Sequence, residues 1–429
     1  MPIPTMRASP LGSSIDTAAK AIEERVIAWR RDLHQHPELG NREFRTAAIV
    51  EAHLRALGLD DIRTQVAHTG IVAVLHGSLP GPTVALRADM DALPVTEEVD
   101  LPFVSRVRSQ WNGEEVGVMH ACGHDCHTAI LMGVAEVLVG LRSQLRGRVK
   151  FIFQPAEEMP PEGEEGGAQL MIQEGALDHP VPEAIFGLHV TSRMHAGKIG
   201  YRPGPTMASS DSLSITVLGK QTHGAAPWLG VDPIVTAAQV ILGLQTVISR
   251  GVDTTREPAV LTIGSIRGGV RNNIIPDKVE MRGTIRSFDE GMRDDIHERV
   301  STLAHAVARG SRAGCVVCID KKYPVTVNDP ALTEAMVPSL QRVAGPEAVE
   351  LISKVTGAED FSFFQRLIPG LFFFVGVTAP DTNPALAYSN HSPRFVVDEG
   401  GLLLGLRALA HLACDYLESQ ADAAQSGSP

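Results

Sequence analysis

From Ser212 onward the apolar residues change their spacing, and that change divides the chain. Leu213, Ile215 and Val217 alternate strictly with polar neighbours, the mark of a strand with one face in water. A helix is predicted over 232–249, with Ile234, Ala238, Ile241 and Ile248 on one face. Two strands follow, 259–266 and 274–286, then a helix over 288–310 with Met292, Ile296, Val300, Leu303 and Val307 in line and Gly310 at its end. A last strand spans 315–319. The order βαββαβ is the split βαβ, or ferredoxin-like, unit, with helices on one sheet face.

On either side of this block the pattern is different. Over the first 200 residues strand and helix signals alternate as an open, largely parallel sheet requires. Ile22, Val26, Trp29 and Leu33 make an opening helix. Apolar runs at 83–86, 149–153 and 184–190 lead into Arg87-Ala-Asp-Met-Asp91, Gln154-Pro-Ala-Glu-Glu158 and His189. Ligands of such sheets collect at the carboxyl ends of strands, so these polar clusters point to one shared site. After Tyr323 the signals resume at 361–367, 371–377 and 402–417, which makes the βαββαβ block an insertion. The expected boundaries are 14–203 and 321–418 for the larger domain and 204–320 for the insert, with disordered tails at 1–13 and 419–429. Two domains suit a chain of 429 residues.

Fifty acidic against 38 basic residues give a net charge of -12, which repels nucleic acid and anionic membrane alike. The first ten residues carry no apolar run after Arg7, and no stretch of 18 apolar residues occurs. Five cysteines, Cys122, Cys126, Cys315, Cys318 and Cys414, make no disulfide framework in a chain of this size. A cytoplasmic location is the expectation.

The chemistry centres on His120-Ala-Cys-Gly-His-Asp-Cys-His127. Cys122 and His124 sit two apart on a Gly-containing turn before a helix whose N-terminus favours thiolate. The bland alternative is a small buried cysteine and a capping histidine. Glu157 and Glu158 tip the balance, because adjacent carboxylates at the end of a buried strand are costly unless a cation neutralises one. One of the pair can hold a metal while its neighbour takes a proton from water. His189 and His391 are further imidazoles for the set. His34 and His36 are two apart where a helix ends at Pro37, so they point apart; Cys315 and Cys318, three apart on a strand, face opposite sides. Both pairs read as structural. In the insert, His223 follows an alternating strand and reads either as a turn histidine or as a donor to an oxyanion; Asn273 and Arg286 flank the next strand, and Arg286 offers a planar fork for a carboxylate.

Together these motifs resemble the dinuclear metallohydrolases that include hippurate hydrolase, N-acyl-amino-acid amidohydrolases and plant indole-acetyl-amino-acid hydrolases. The resemblance runs from Arg31-Asp-Leu-His-Gln-His-Pro-Glu38 through Arg87-Ala-Asp-Met-Asp-Ala-Leu-Pro94 to Gly357-Ala-Glu-Asp-Phe361 and His391-Ser-Pro393. It implies metal ligands at Cys122, His124, Glu158, His189 and His391, a general base at Glu157, and Asp91 behind the metal site. It also implies a lid histidine at His223, supplied in related dimers to the neighbouring subunit, and substrate-carboxylate residues at Asn273 and Arg286. The implied fold is a zinc-peptidase-like α/β domain, a mixed sheet with helices on both faces, carrying an inserted ferredoxin-like lid through which two copies form a homodimer. Two departures stand out: Trp228 occupies the place of a second lid histidine, and Cys126 sets a second thiol near the metals, an expected oxidation hazard.

The expected reaction is hydrolysis of the N-acyl bond of a small N-acyl-amino acid with two divalent ions per subunit, zinc or manganese first, cobalt or nickel as further options. A dipeptidase or carboxypeptidase of the same family is the enzymatic alternative. A catalytically silent, metal-stabilised binding protein is the other, and Glu157 argues against it.

Overall fold

The computed structural model describes residues 7–59 and 61–426. They form two compact units, described separately below. The larger takes in the chain up to Gly204, then Asn328–Ser353 and the residues from Phe363 onward; the smaller takes in Pro205–Val327 and Lys354–Ser362. Lys354–Ser362, expected in the larger domain, belongs with the smaller because Val355 exchanges backbone hydrogen bonds with Thr206 and Ala208.

An eight-stranded mixed sheet organises the larger unit, in the order Asp61–Val66, Gly70–His76, Arg146–Gln154, Leu79–Asp89, Ala184–His195, Gly370–Thr378, Ile199–Tyr201, Val349–Leu351. The four strands from Arg146–Gln154 to Gly370–Thr378 run parallel, and antiparallel strands close them on both sides. Every residue of Gly370–Thr378 is buried, the all-apolar reading of a strand covered on both faces. Helices Gly12–Gln35, His124–Gly140 and Gly400–Ser426 share one core with the sheet through Ile15, Ile22, Val26, Ile130, Val134, Leu406 and Leu409. Register decides where chemistry can sit. Gln154 pairs with Asp89, and Gly187 with Arg87, so the ends leading to Asp91, Glu157 and His189 lie level at one edge.

The antiparallel strands Asp61–Val66 and Gly70–His76 were not expected from sequence. The tails need correction as well. Helix Gly400–Ser426 continues through residues 419–426. At the other end the Ser9 N–H bonds Asp415 Oδ1 at 2.6 Å and the Arg7 N–H bonds Ser419 Oγ at 2.9 Å, which ties the start of the chain to that helix. Residues 1–6 and 427–429 of the expected tails lie outside the described residues.

The smaller unit is a four-stranded antiparallel sheet in the order Ala259–Gly268, Lys278–Ser287, Ser210–Leu218, Gly314–Tyr323, the ferredoxin-like arrangement. Leu213, Ile215 and Val217 face a core shared with Ala237, Val240 and Leu244 of helix Pro233–Gly251 and Ile296, Val300 and Ala304 of helix Glu290–Gly310. Asp232 and Asp289 cap those helices, accepting from Ile234 and Val235 and from Met292. The strand expected at 274–286 is interrupted: Ile274–Ile275 pairs with Thr222–His223, and Pro276, which has no N–H to give a ladder, precedes Lys278–Ser287. By length and composition Pro233–Gly251 would suffice to cross a bilayer, although it packs Ala237, Val240, Leu244 and Val247 into this core.

Candidate metal centre

Cys122 and His124 stand on a turn that only glycine can make. Gly123 has φ of +91°, and a Cβ there would meet Val190 Cγ2 at 2.4 Å. The turn thus lies against the strand that bears His189, and helix His124–Gly140 starts from it.

Around this turn the donors converge. Cys122 Sγ is 3.3 Å from His189 Nε2 and 3.2 Å from His391 Nε2, and His391 Nε2 is 2.8 Å from Glu158 Oε1. His124 Nε2 is 3.9 Å from Glu157 Oε2. The ligating atoms of Cys122, His124 and His189 lie within 4.8 Å of one another, as do those of Cys122, Glu158 and His391. The two trios share the Cys122 sulfur. His124, Glu157 and Glu158 satisfy the same limit, which sets Glu157 against both.

Hydrogen bonding aims each ring. His189 donates from Nδ1 to the Val190 carbonyl at 2.7 Å, leaving the Nε2 lone pair toward Cys122. His124 donates from Nδ1 to Asp91 Oδ1 at 3.2 Å, and Asp91 Oδ2 accepts the Glu158 N–H at 3.0 Å. Asp91 therefore orients an imidazole and the chain of a carboxylate together. His124 Nε2 is buried and has no hydrogen-bond partner among the described residues. A buried ring nitrogen without a proton acceptor, in reach of a thiol and two carboxylates, is a fitting metal donor.

The electrostatics lead the same way. Burial, then the charges of Glu158 and Glu157, push the Cys122 thiol far above its usual range, so a thiolate here requires a cation. Burial works against protonation of His124, yet the carboxylates of Asp89 and Asp91 outweigh it and raise the ring to about 10. The cluster has an excess of acid, and a divalent ion is the charge that balances it.

Three residues of this architecture were not singled out in the sequence. His127 donates from Nδ1 to Asp89 at 2.5 Å and accepts the Val190 N–H on Nε2 at 2.9 Å, so neither nitrogen is left for a metal and the ring braces the chain beside His189. Asp89 in turn takes the buried Arg87 guanidinium at 2.6 Å. Asn390 donates to the carbonyls of Cys122 and Val190, both at 3.0 Å, and accepts from the Ser192 N–H at 3.3 Å. Position within motifs was the available signal: His127 closes the octapeptide, Asp89 lies in Arg87-Ala-Asp-Met-Asp91 and Asn390 precedes His391.

Cys126, expected as a second thiol near the metals and not as a ligand, is fully buried in the hydrophobic core of the larger unit on the first turn of helix His124–Gly140 and is in none of the donor groups among the described residues. His34 is buried between Asp125, at 2.9 Å, and Glu97, at 3.1 Å, while His36 bonds the Asp32 carbonyl; neither joins the donor set. Cys315 is half-buried and Cys318 exposed on strand Gly314–Tyr323.

His223, Asn273 and Arg286 lie in the smaller unit. The first two are brought together, since the Asn273 carbonyl accepts the Gly224 N–H at 2.8 Å. His223 Nδ1 accepts the Ala225 N–H at 3.0 Å, which leaves Nε2 as the N–H of an exposed ring. Arg286 is carried on the separate strand Lys278–Ser287 and bonds Ser210 Oγ. Trp228 stands in the short turn Pro227–Leu229 and is 77% exposed.

Comparison with known proteins points to one family. The sequence pattern of Peptidase family M20/M25/M40 matches residues 85–415. Thermostable carboxypeptidase 2 of Saccharolobus solfataricus is 39% identical over 398 residues, 92% of this chain and 96% of that protein. N-acetylcysteine deacetylase of Bacillus subtilis is 36% identical over 402 residues, 94% and 99% of the two chains. The crystal structure of the Bacillus subtilis YXEP protein, described as a dinuclear metal binding peptidase from the M20 family, superposes with a TM-score of 0.77 at 34% identity, over 93% of this chain and 99% of that one.

Proposed function

Because the chain belongs to peptidase family M20/M25/M40 and is a metal-dependent hydrolase, we propose that it cleaves the amide bond of N-acyl-amino acids to a carboxylic acid and a free amino acid. The observation that carries the reading is Glu157, buried against two donor trios that share the Cys122 sulfur. A carboxylate so placed beside a full ligand set has an acid–base use and little structural one.

In this reading Cys122, His124, Glu158, His189 and His391 hold two divalent ions. When bound, these supply the positive charge that polarises the scissile carbonyl and acidifies water. Thiolate and imidazole suit zinc, and the carboxylate also accommodates manganese. Glu157 takes a proton from the attacking water and delivers it to the leaving amine. His223, through its Nε2–H, donates to the developing oxyanion, and Asn273 and Arg286 hold the substrate carboxylate. A homodimer formed through the smaller unit completes the proposal; its outer strand Ala259–Gly268 exposes Val260 and Ile266.

Glu157→Gln is the test. It should lower turnover at least about 100-fold while bound metal stays constant; full turnover in the variant removes Glu157 as base. Wild-type enzyme should be run on N-acetyl-, N-benzoyl- and N-indoleacetyl-amino acids beside dipeptides and longer peptides. The 39% identity to a thermostable carboxypeptidase favours one second reading, removal of a C-terminal residue from peptides. Faster turnover of peptides than of every N-acyl-amino acid would establish it.

A further inference from the structure

We propose that Glu43 is a positioning residue for the loop that presents Glu157, an inference that rests on the reading of Glu157 as general base. Glu43 stands at the start of helix Phe44–Ala56 and is wholly buried. Its Oε1 accepts the N–H of Asn41 at 3.1 Å and the N–H of Ala156 at 2.9 Å, and its Oε2 accepts the Thr69 hydroxyl at 2.5 Å. Three donors from three segments converge on one carboxyl group in the core.

Ala156 is the partner that matters. Its φ is +50°, the left-handed region, which a residue with a Cβ holds only where its surroundings impose it. Glu43 imposes it from one side through the N–H. Gly40 leaves room for it, since a Cβ on Gly40 would lie 3.1 Å from Ala156 Cβ and 3.3 Å from the Met159 carbonyl. Two residues further on, the Glu158 N–H is held by Asp91. Glu157 therefore lies between two carboxyl anchors, Glu43 gripping the residue before it and Asp91 the residue after.

The anchor carries an electrostatic cost. Burial, with the charge of Asp91 added, pushes the Glu43 carboxyl up to about 8. Glutamine would avoid that cost and keep the geometry: its carbonyl can accept from Asn41 and Ala156 while its amide donates to Thr69 Oγ1. Aspartate keeps the carboxyl group but is one methylene too short to reach Ala156. The two substitutions separate reach from the acid itself.

The test uses the metal-loaded full chain with N-acyl-amino acid substrate. Glu43→Asp should lower kcat about 10- to 100-fold, the scale of a misplaced catalytic group, with KM within about threefold and metal content unchanged. Glu43→Gln should stay within about threefold of wild type in kcat, because the bond to Ala156 survives. Adding Ala156→Gly to Glu43→Asp should recover part of the lost kcat, since glycine adopts the left-handed conformation without help. Wild-type kcat in a folded Glu43→Asp protein overturns the proposal, as does a Glu43→Gln protein no better than Glu43→Asp. Should Glu157→Gln retain turnover, the base assignment itself fails, a result distinct from either.

Discussion

Replacing Asn390 by Ala should loosen the metal centre without touching a ligand. The side chain joins three segments, donating to the carbonyls of Cys122 and Val190 at 3.0 Å and accepting from Ser192 at 3.3 Å. At about 1 kcal/mol net for each of the two shorter bonds and about half that for the longer one, the loss is about 2.5 kcal/mol. On the proposed ligand set a bound metal would hold Cys122, His189 and His391 together, so most of that loss should appear as metal affinity. At about 1.4 kcal/mol per decade it corresponds to a weakening somewhat under 100-fold, within the range of about 10- to 100-fold for residues that orient ligands. The assay is a chelator-competition titration of stripped protein with Zn²⁺, paired with denaturant unfolding of the same apo protein. Asn390→Asp is the control. It keeps an acceptor for Ser192 but turns anionic oxygens toward two carbonyls, and should be at least as damaging as Ala. Affinity within about twofold of wild type in both variants, with unchanged apo stability, would refute the reasoning.

Thiol accessibility should separate the five cysteines: Cys318 is exposed, whereas Cys122, Cys126 and Cys414 are buried. Native protein titrated with a chromogenic disulfide reagent should show its fast reaction at Cys318, abolished by Cys318→Ser; fast labelling of Cys126, checked by mass spectrometry, would contradict its burial. In the smaller unit, Asp211 is buried beneath Arg293, at 3.1 Å from its Nε, and His297, at 2.7 Å. Removing the negative partner of such a pair by Asp211→Asn should cost about 3 kcal/mol in denaturant unfolding at neutral pH. Burial works against the charged carboxyl, but His297 and Arg293 outweigh it and hold it below the usual 3.8. Its contribution is therefore fully present above the unfolded value and is lost as pH falls through the lowered folded one. The gap between wild type and variant should stay level down to about pH 5 and narrow only in stronger acid; a gap that widens on acidification would reverse the sign.

What was legible in the chain follows from distance along it. Apolar runs ending in acids or histidine mark strand ends because a ladder buried on both faces accepts polar groups only where it stops, and Asp91, Glu157 and Glu158 obey that rule. The alternation of Leu213, Ile215 and Val217 is equally local, and it yields the four-stranded sheet with its helices. Contacts between distant segments are not local. Whether His127 binds metal or braces the chain depends on the backbone of Val190, 63 residues away, and whether Glu43 is a surface acid or a buried anchor depends on Ala156, 113 away. The short antiparallel edge was missed because Asp61–Val66 is mostly exposed and carries little apolar signal, although Gly70–His76 beside it is nearly all buried. Cys122 and Cys126 show how small a rotation decides a role. Four residues apart, they offer the same thiol, but Cys122 belongs to the glycine turn and Cys126 to the first turn of the helix, whose buried side faces the core. Chemistry in the octapeptide is thus sorted by the place where the turn becomes helix, and Gly123, whose positive φ and close approach to Val190 leave no room for a Cβ, sets that place.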